Sequence, residues 1–304
     1  MVLALVRATR FLLTLGRKNG EIYKVRRTKS KPLRYDEVGV WSELKLEILT
    51  KYATAYSTIL TNKGLHHSYI DAFAGAGHHI SKRTKELIPG SPLNALRIEP
   101  PFENFFLIDL DAAKVDELRK LTSDRKDVQV YGGDANKVLL SEVFPKIRYQ
   151  DYRRALCILD PYKLNLNWSV IAEAADLRTI EIFLNFPVLD MNRNVLWRSE
   201  GASPENLERM NAFWGDESWR NVAYRTDTTL FGEPEKQPNE VIAEAFRDRL
   251  RTVAGFKHVP EPAPMRNSRG AIIYYLFFAA QQPAAEKIVA DIFTAYRKRG
   301  MLHG

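Results

Sequence analysis

A single cysteine among 304 residues leaves this chain without intramolecular disulfides and without a cysteine-based metal cluster. Cys157 lies inside an apolar run and reads as a buried structural thiol, not as a nucleophile, which needs an accessible electropositive setting. Histidine is scarce too. The pairs His66-His67 and His78-His79 lack helical i, i+4 spacing and have no acid in register, so no metal site is expected. Long uncharged apolar runs are missing: the N-terminal fifteen residues are interrupted by Arg7 and Arg10, fall short of the roughly 20 residues that span a bilayer, and precede no small-residue cleavage site. Neither membrane association nor export is expected, which leaves a cytoplasmic protein. Acid is scarce in one stretch. Residues 1–34 hold ten Lys or Arg and one Glu, a net of +9, so the remainder sums to −1 of the total +8. The basicity belongs to an N-terminal arm, read as flexible. Nucleic-acid binding is one reading of it; an over-long gene start, an organellar presequence or a solvated tail are the others.

What is present is a series of buried-strand signals, each closing on an acid. Tyr69-Ile-Asp-Ala-Phe-Ala-Gly-Ala-Gly77 is an apolar run that breaks into Asp71, Phe73 and two spaced glycines, Gly75 and Gly77, where the backbone can turn sharply against a ligand. Phe105–Asp111 follows, with Asp109 where a nucleotide-binding fold places the carboxylate for the ribose hydroxyls. Val128–Asp134 ends in an acid suited to an adenine amino group, and Ala155–Tyr162 ends in Asp160, Pro161 and Tyr162. Ligands in open α/β sheets bind outside the C-terminal ends of the strands, so four such segments in succession point to one crevice.

Apolar spacing from Trp41 to Leu60 predicts a helix with Glu43, Lys45, Glu47 and Lys51 on its wet side. After Gly77 a polar, basic loop is expected to run to Pro89, with Ser91 as N-cap and Pro92 as first residue of the next helix. Helices are expected over Asp111–Leu121, Asn136–Phe144 and Trp168–Ala175, and a fifth strand over Thr179–Asn185. The polar run past that strand supplies candidate substrate-binding residues Asn185, Asn192 and Arg193. Residues 195–237 break the alternation and read as a helical insertion with Phe213, Trp214 and Trp219 in a small core of its own. Then follow a helix from Asn239 to Val253, a strand over Lys257–Pro264, a long apolar strand over Ala271–Ala280 and a closing helix over Pro283–Arg299. The expected organisation is a basic arm (1–34), a Rossmann-like core (35–194), the insertion (195–237) and the completion of the sheet (238–304). The expected fold is α/β, with a doubly wound, mostly parallel sheet.

In the order of these motifs the chain resembles the class I S-adenosylmethionine-dependent methyltransferases. The resemblance implies S-adenosylmethionine as cofactor, with Asp71, Phe73, Gly75 and Gly77 at its methionine end, Asp109 at the ribose and Asp134 at the adenine. The Trp41-x-x-x-Lys-Leu-Glu-Ile48 opening, the 69–77 turn, the Gly90-Ser-Pro-Leu helix start, Leu159-Asp-Pro-Tyr162 and Asn185-Phe ahead of Asn192-Arg-Asn together look like the three-Cys-motif partner protein family. That likeness implies a partner resembling radical-S-adenosylmethionine enzymes and fixes no substrate. Lys163 stands where family members usually carry glycine. Asp160-Pro-Tyr162 is also similar to the Asp-Pro-Pro-Tyr motif of methyltransferases acting on nucleobase amines, with one proline missing. The implied function is methyl transfer to a nitrogen of nucleic acid or a nucleobase-like substrate, with Asp160, Pro161 and Tyr162 as catalytic residues. The alternative is a non-catalytic partner subunit that keeps the fold.

Overall fold

The structure, a computed structural model, describes residues 15–18, 21–24, 33–197, 201–225, 235–267 and 269–298. Residues 1–32 and 33–304 form two compact units. In the first, β1 (Leu15–Lys18) and β2 (Glu21–Lys24) pair as an antiparallel hairpin; the rest of the expected arm up to residue 32, and the flexibility expected of it, lie outside the described residues. No helix among the described residues is long and apolar enough to cross a membrane.

The second unit opens with β3 (Asp36–Val38) and the 23-residue α1 (Val40–Asn62), which leads into β4 (His66–Asp71). The polar segment expected to be a loop instead folds as β5 (His78–Ser81) and β6 (Leu87–Pro89), pairing with β3 in a small three-stranded sheet. Ser81 Oγ donates to Glu43 of α1 at 2.6 Å, and Lys114 Nζ pairs with Asp36 at 2.6 Å, tying this sheet to the helices on either side. There follow α2 (Ser91–Ala95), β7 (Asn104–Asp109), α3 (Ala112–Leu121), β8 (Val128–Gly132), α4 (Ala135–Val138), β9 (Arg153–Leu159), α5 (Trp168–Leu177) and β10 (Ile180–Phe186). After α6 (Val188–Met191) come α7 (Pro204–Trp214), α8 (Trp219–Ala223), the two-residue strands β11 (Tyr224–Arg225) and β12 (Glu235–Lys236), α9 (Asn239–Arg249), β13 (Ala263–Arg266), β14 (Ile272–Ala279) and α10 (Pro283–Lys298).

The central sheet runs β13-β14-β10-β9-β4-β7-β8, and β14 alone runs against the direction of the other strands. The chain builds outward from β4 to β8, then returns to β9 and builds the other way, so the order reverses between β4 and β9. This is the topological switch point at which doubly wound sheets bind ligands. The expected fold class is the one observed. Buried parallel strands read as continuous apolar runs, and β4, β7 and β9 are covered on both faces.

Two expectations about packing are corrected. Phe213, Trp214 and Trp219 are fully buried, but in the main core: Phe246 touches Phe186, Phe213, Trp214 and Phe277 at centroid distances of 4.7–5.6 Å. Aromatic rings of this size contribute roughly 1.5–3 kcal/mol each on burial, so the insertion is held by the sheet's own face. The strand expected over 257–264 begins only at Ala263; ahead of it His258 makes an isolated bridge to Ala280.

Candidate active site at the sheet switch point

β4 ends at Asp71, and the chain turns at once. Ala72 N donates to Ile158 O of β9 and Ala74 N to Ile108 O of β7, so the turn is pinned to both neighbouring strands. Gly75 has φ +65°, a left-handed conformation that side chains disfavour, and no heavy atom stands within 4 Å of where a Cβ would sit. Gly77 (φ +82°) differs: a Cβ there would meet Leu121 at 3.1 Å and Leu118 at 3.3 Å. The absence of a side chain at Gly77 lets the turn pack closely against α3. Asp109, at the end of β7, accepts from Gly75 N at 2.9 Å and from Asp111 N at 2.8 Å, binding the turn to the next strand. Leu110 beside it is exposed.

Asp71 is completely buried. Ser91 Oγ donates to its Oδ2 at 2.5 Å and Phe73 N to its Oδ1 at 3.2 Å. Ser91 is therefore not the N-cap expected of it: Gly90 holds that position and the serine hydroxyl reaches back to β4. Asp71 builds the turn from beneath, and Phe73 is half-buried against the core. Burial lifts the Asp71 carboxyl to about 7, outweighing the bonds from Ser91 and Phe73 N that favour its charged form. Above about pH 4 an unfolded aspartate has lost its proton while the folded one keeps it, so stability falls as pH rises from about 4 to about 7, by up to ~1.4 kcal/mol per unit. Asp71→Asn retains an acceptor and removes the charge. Denaturant titrations across that range should show the variant gaining on the wild type as pH rises; a constant difference would refute the raised value.

Asp160 follows β9, adjacent to β4. Lys45 of α1 forms an ion pair with its Oδ2, and Asn185 Nδ2, at the end of β10, donates to its Oδ1 at 2.8 Å. Lys45 is only 9% exposed, contrary to the wet-side placement expected of it. It stands four residues after Trp41 and four before Leu49, squarely on the apolar stripe, and that spacing was the signal available in the sequence. Its ammonium also lies 5.5 Å from the Tyr274 ring centroid. His79 is a second group missed. Burial, then the Lys45 charge, holds its imidazole below the usual range.

The remaining expected residues spread around this centre. Asp134 is exposed and caps α4 through Asn136 N at 2.8 Å. Asn136 in turn bonds Asn165 O and Asn167 N, knitting the loop after β9 to that cap. Pro161 is buried, while Tyr162 is 87% exposed. Past β10 the helix widens to a π turn over Asn192–Leu196, a feature frequent at functional sites. Asn192 Nδ2 bonds Asn239, and Arg193 is exposed. Asn185 Oδ1, Asp190 Oδ2 and Asn192 Oδ1 are buried without a hydrogen-bond partner, three acceptor oxygens within eight residues. Trp197 closes the segment at 76% exposure.

No protein-family model matches the chain, and no curated protein does; the three-Cys-motif partner family stays a matter of motif resemblance. Among solved structures, protein LPL1258 of Legionella pneumophila, described by the family model DUF519, is 14% identical with a TM-score of 0.50, covering 84% of this chain and 94% of that one. Trm5b from Pyrococcus abyssi is 17% identical over 88% of this chain and 54% of that chain, at a TM-score of 0.37. TYW2 of M. jannaschii, in complex with AdoMet, is 8% identical over 90% and 87%, at 0.34. The likeness to LPL1258 speaks for the fold alone, and the other two carry no weight. Together with the strand order and the single antiparallel strand, that likeness makes the second unit a Rossmann-like α/β domain.

Proposed function

We propose that this chain is an S-adenosylmethionine-dependent methyltransferase acting on an amine nitrogen of a nucleobase-like group in nucleic acid. The observation that carries the reading is Asp160: a carboxylate at the switch point, beside the glycine turn, oriented from two sides by Lys45 and Asn185. The residues present fit the cofactor. The open space over Gly75 is a cradle that any side chain would fill, and Asp109 spends one bond per oxygen on backbone amides, leaving acceptor capacity for ribose hydroxyls. The cap at Asp134 uses Oδ1 only, so Oδ2 is available to an adenine amino group.

When bound, the cofactor supplies an electrophilic methyl carbon on a sulfonium. The chain's part is to aim a nitrogen lone pair at that carbon. A carboxylate has about four lone-pair directions, of which Lys45 and Asn185 occupy two. Asp160 can accept an N–H of the substrate with the others, turning the lone pair outward, and hold the proton released as the N–C bond forms. The unpartnered oxygens of Asn185, Asp190 and Asn192 favour a donor-rich substrate such as an exocyclic amine. Tyr162 and Trp197 offer exposed rings on which an extruded base can stack.

One observation favours a second reading. Each oxygen of Asp160 already has a partner that ties α1 and β10 to it, so a non-catalytic subunit of a three-cysteine radical-S-adenosylmethionine-like partner would also keep this cluster. Cofactor calorimetry tests what comes first. Asp109→Ala should weaken S-adenosylmethionine binding by roughly 1.5–3 kcal/mol, the scale of hydrogen bonds to a charged group. Equal affinity in a folded variant would remove Asp109 from the cofactor site.

A further inference from the structure

We propose a second ligand site at the opposite end of the central strands, shaped for a small zwitterionic α-amino acid. A cavity of about 160 Å³ opens there between the C-terminal part of α1 and the starts of β9 and β10, lined among others by Tyr56, Lys63, Arg154, Arg178, Glu181 and Gln281. It is separate from the crevice described above. Glu181 and Asn185 stand at the two ends of β10, about 13 Å apart along an extended strand. On α1, Tyr56 lies about 16 Å beyond Lys45.

The inner wall carries polar groups that nothing in methyl transfer uses. Glu181 takes a hydrogen bond from the Tyr52 hydroxyl, and burial pushes its carboxyl up to about 7. Tyr56, 5% exposed, has a buried hydroxyl with no hydrogen-bond partner, close enough for the charges of Glu181 and Arg154 to act on it. Leaving such a group unsatisfied is costly, and apolar residues would fill the place more cheaply. Around the rim the sign reverses. Lys63 and Arg178 are exposed, Arg154 is half-buried, and among the described residues Lys63 and Arg178 form no ion pair. Gln281 is fixed by donating to Ala175 O and Gly255 O.

A carboxylate within and cations at the mouth complement a molecule with an ammonium group at one end and a carboxylate at the other. A simple anion would meet Glu181 unfavourably, and a simple amine would leave the rim cations unanswered. Size points the same way. A cavity of about 160 Å³ has room for several waters, and so for a molecule as small as glycine, alanine or serine.

The test is calorimetric titration of the full chain with glycine, L-alanine and L-serine, alongside acetate and methylamine. The expected result is binding of at least one amino acid, with acetate and methylamine weaker, and affinity lowered at least about tenfold in Glu181→Gln and in Arg154→Ala. Glu181→Gln keeps an acceptor for Tyr52. Should either variant fail to fold, Tyr56→Phe, which removes only the unpartnered hydroxyl, should show a comparable loss. Absence of heat at about 10 mM amino acid, binding of acetate equal to that of glycine, or unchanged affinity in the folded variants would each overturn the site.

Discussion

Asp160→Asn should lower methyl transfer by about 10²- to 10⁴-fold while leaving S-adenosylmethionine affinity close to that of the wild type. The amide keeps the volume of the carboxylate and one oxygen to accept from Lys45, so the cluster can persist. What it loses is the second anionic oxygen, the one that must draw an N–H of the substrate and take up the released proton. Asparagine is the informative substitution because alanine would strand Lys45, which is 9% exposed and paired with nothing else that a hydrogen bond or ion pair records among the described residues. A buried cation without its partner destabilises the fold and would confuse a catalytic loss with an unfolding one. Melting temperature and cofactor affinity measured on the same preparation separate the two. Turnover retained within a few-fold would show that Asp160 only holds the helix and strand ends together.

Lys45→Ala should cost roughly 2–3 kcal/mol of stability in denaturant unfolding, toward the lower end of what breaking a buried pair costs, because Asp160 keeps about a third of its side chain in water. It should also reduce transfer by at least about tenfold, since one of the two groups aiming Asp160 is gone while the cofactor contacts at Asp109 are not. Lys45→Arg keeps the charge but not the geometry; a bulkier planar fork does not fit where a compact ammonium sits beside the Tyr274 ring, so only partial rescue is expected. A stability change below about 0.5 kcal/mol, the range of ordinary surface substitutions, would contradict the pairing.

The strands that build the crevice were legible in the sequence because buried parallel strands need apolar residues on both faces and end where polar groups begin. Tyr69–Asp71, Phe105–Asp109 and Ala155–Asp160 carry that signature, and their order fixed which ends meet. The misreadings share one physical cause: the partner lay far along the chain. Ser91 has the local chemistry of an N-cap, but its hydroxyl serves Asp71 twenty residues earlier. The segment from His78 is polar and its strands are four and three residues long, too short for a period to show, and the strand that orders it, β3, comes before α1. Lys45 has the local look of a solvated charge although its spacing places it on the buried stripe; a lysine there needs an acid, and Asp160 lies 115 residues on. Phe213, Trp214 and Trp219 announced burial without saying against what, and the face they meet is formed by Phe186, Phe246 and Phe277.

The central claim is amine methylation at Asp160, and transfer of a labelled methyl group from S-adenosylmethionine tests it most directly. Wild-type chain and Asp160→Asn would each be incubated with total cellular RNA, DNA and protein, and the labelled fraction digested and resolved. Label in a nucleic-acid fraction, recovered as an N-methylated base and reduced at least about a hundredfold by the substitution, is the predicted result. Label confined to protein, equal label from the variant, or none in any fraction with or without a three-cysteine partner protein would contradict it.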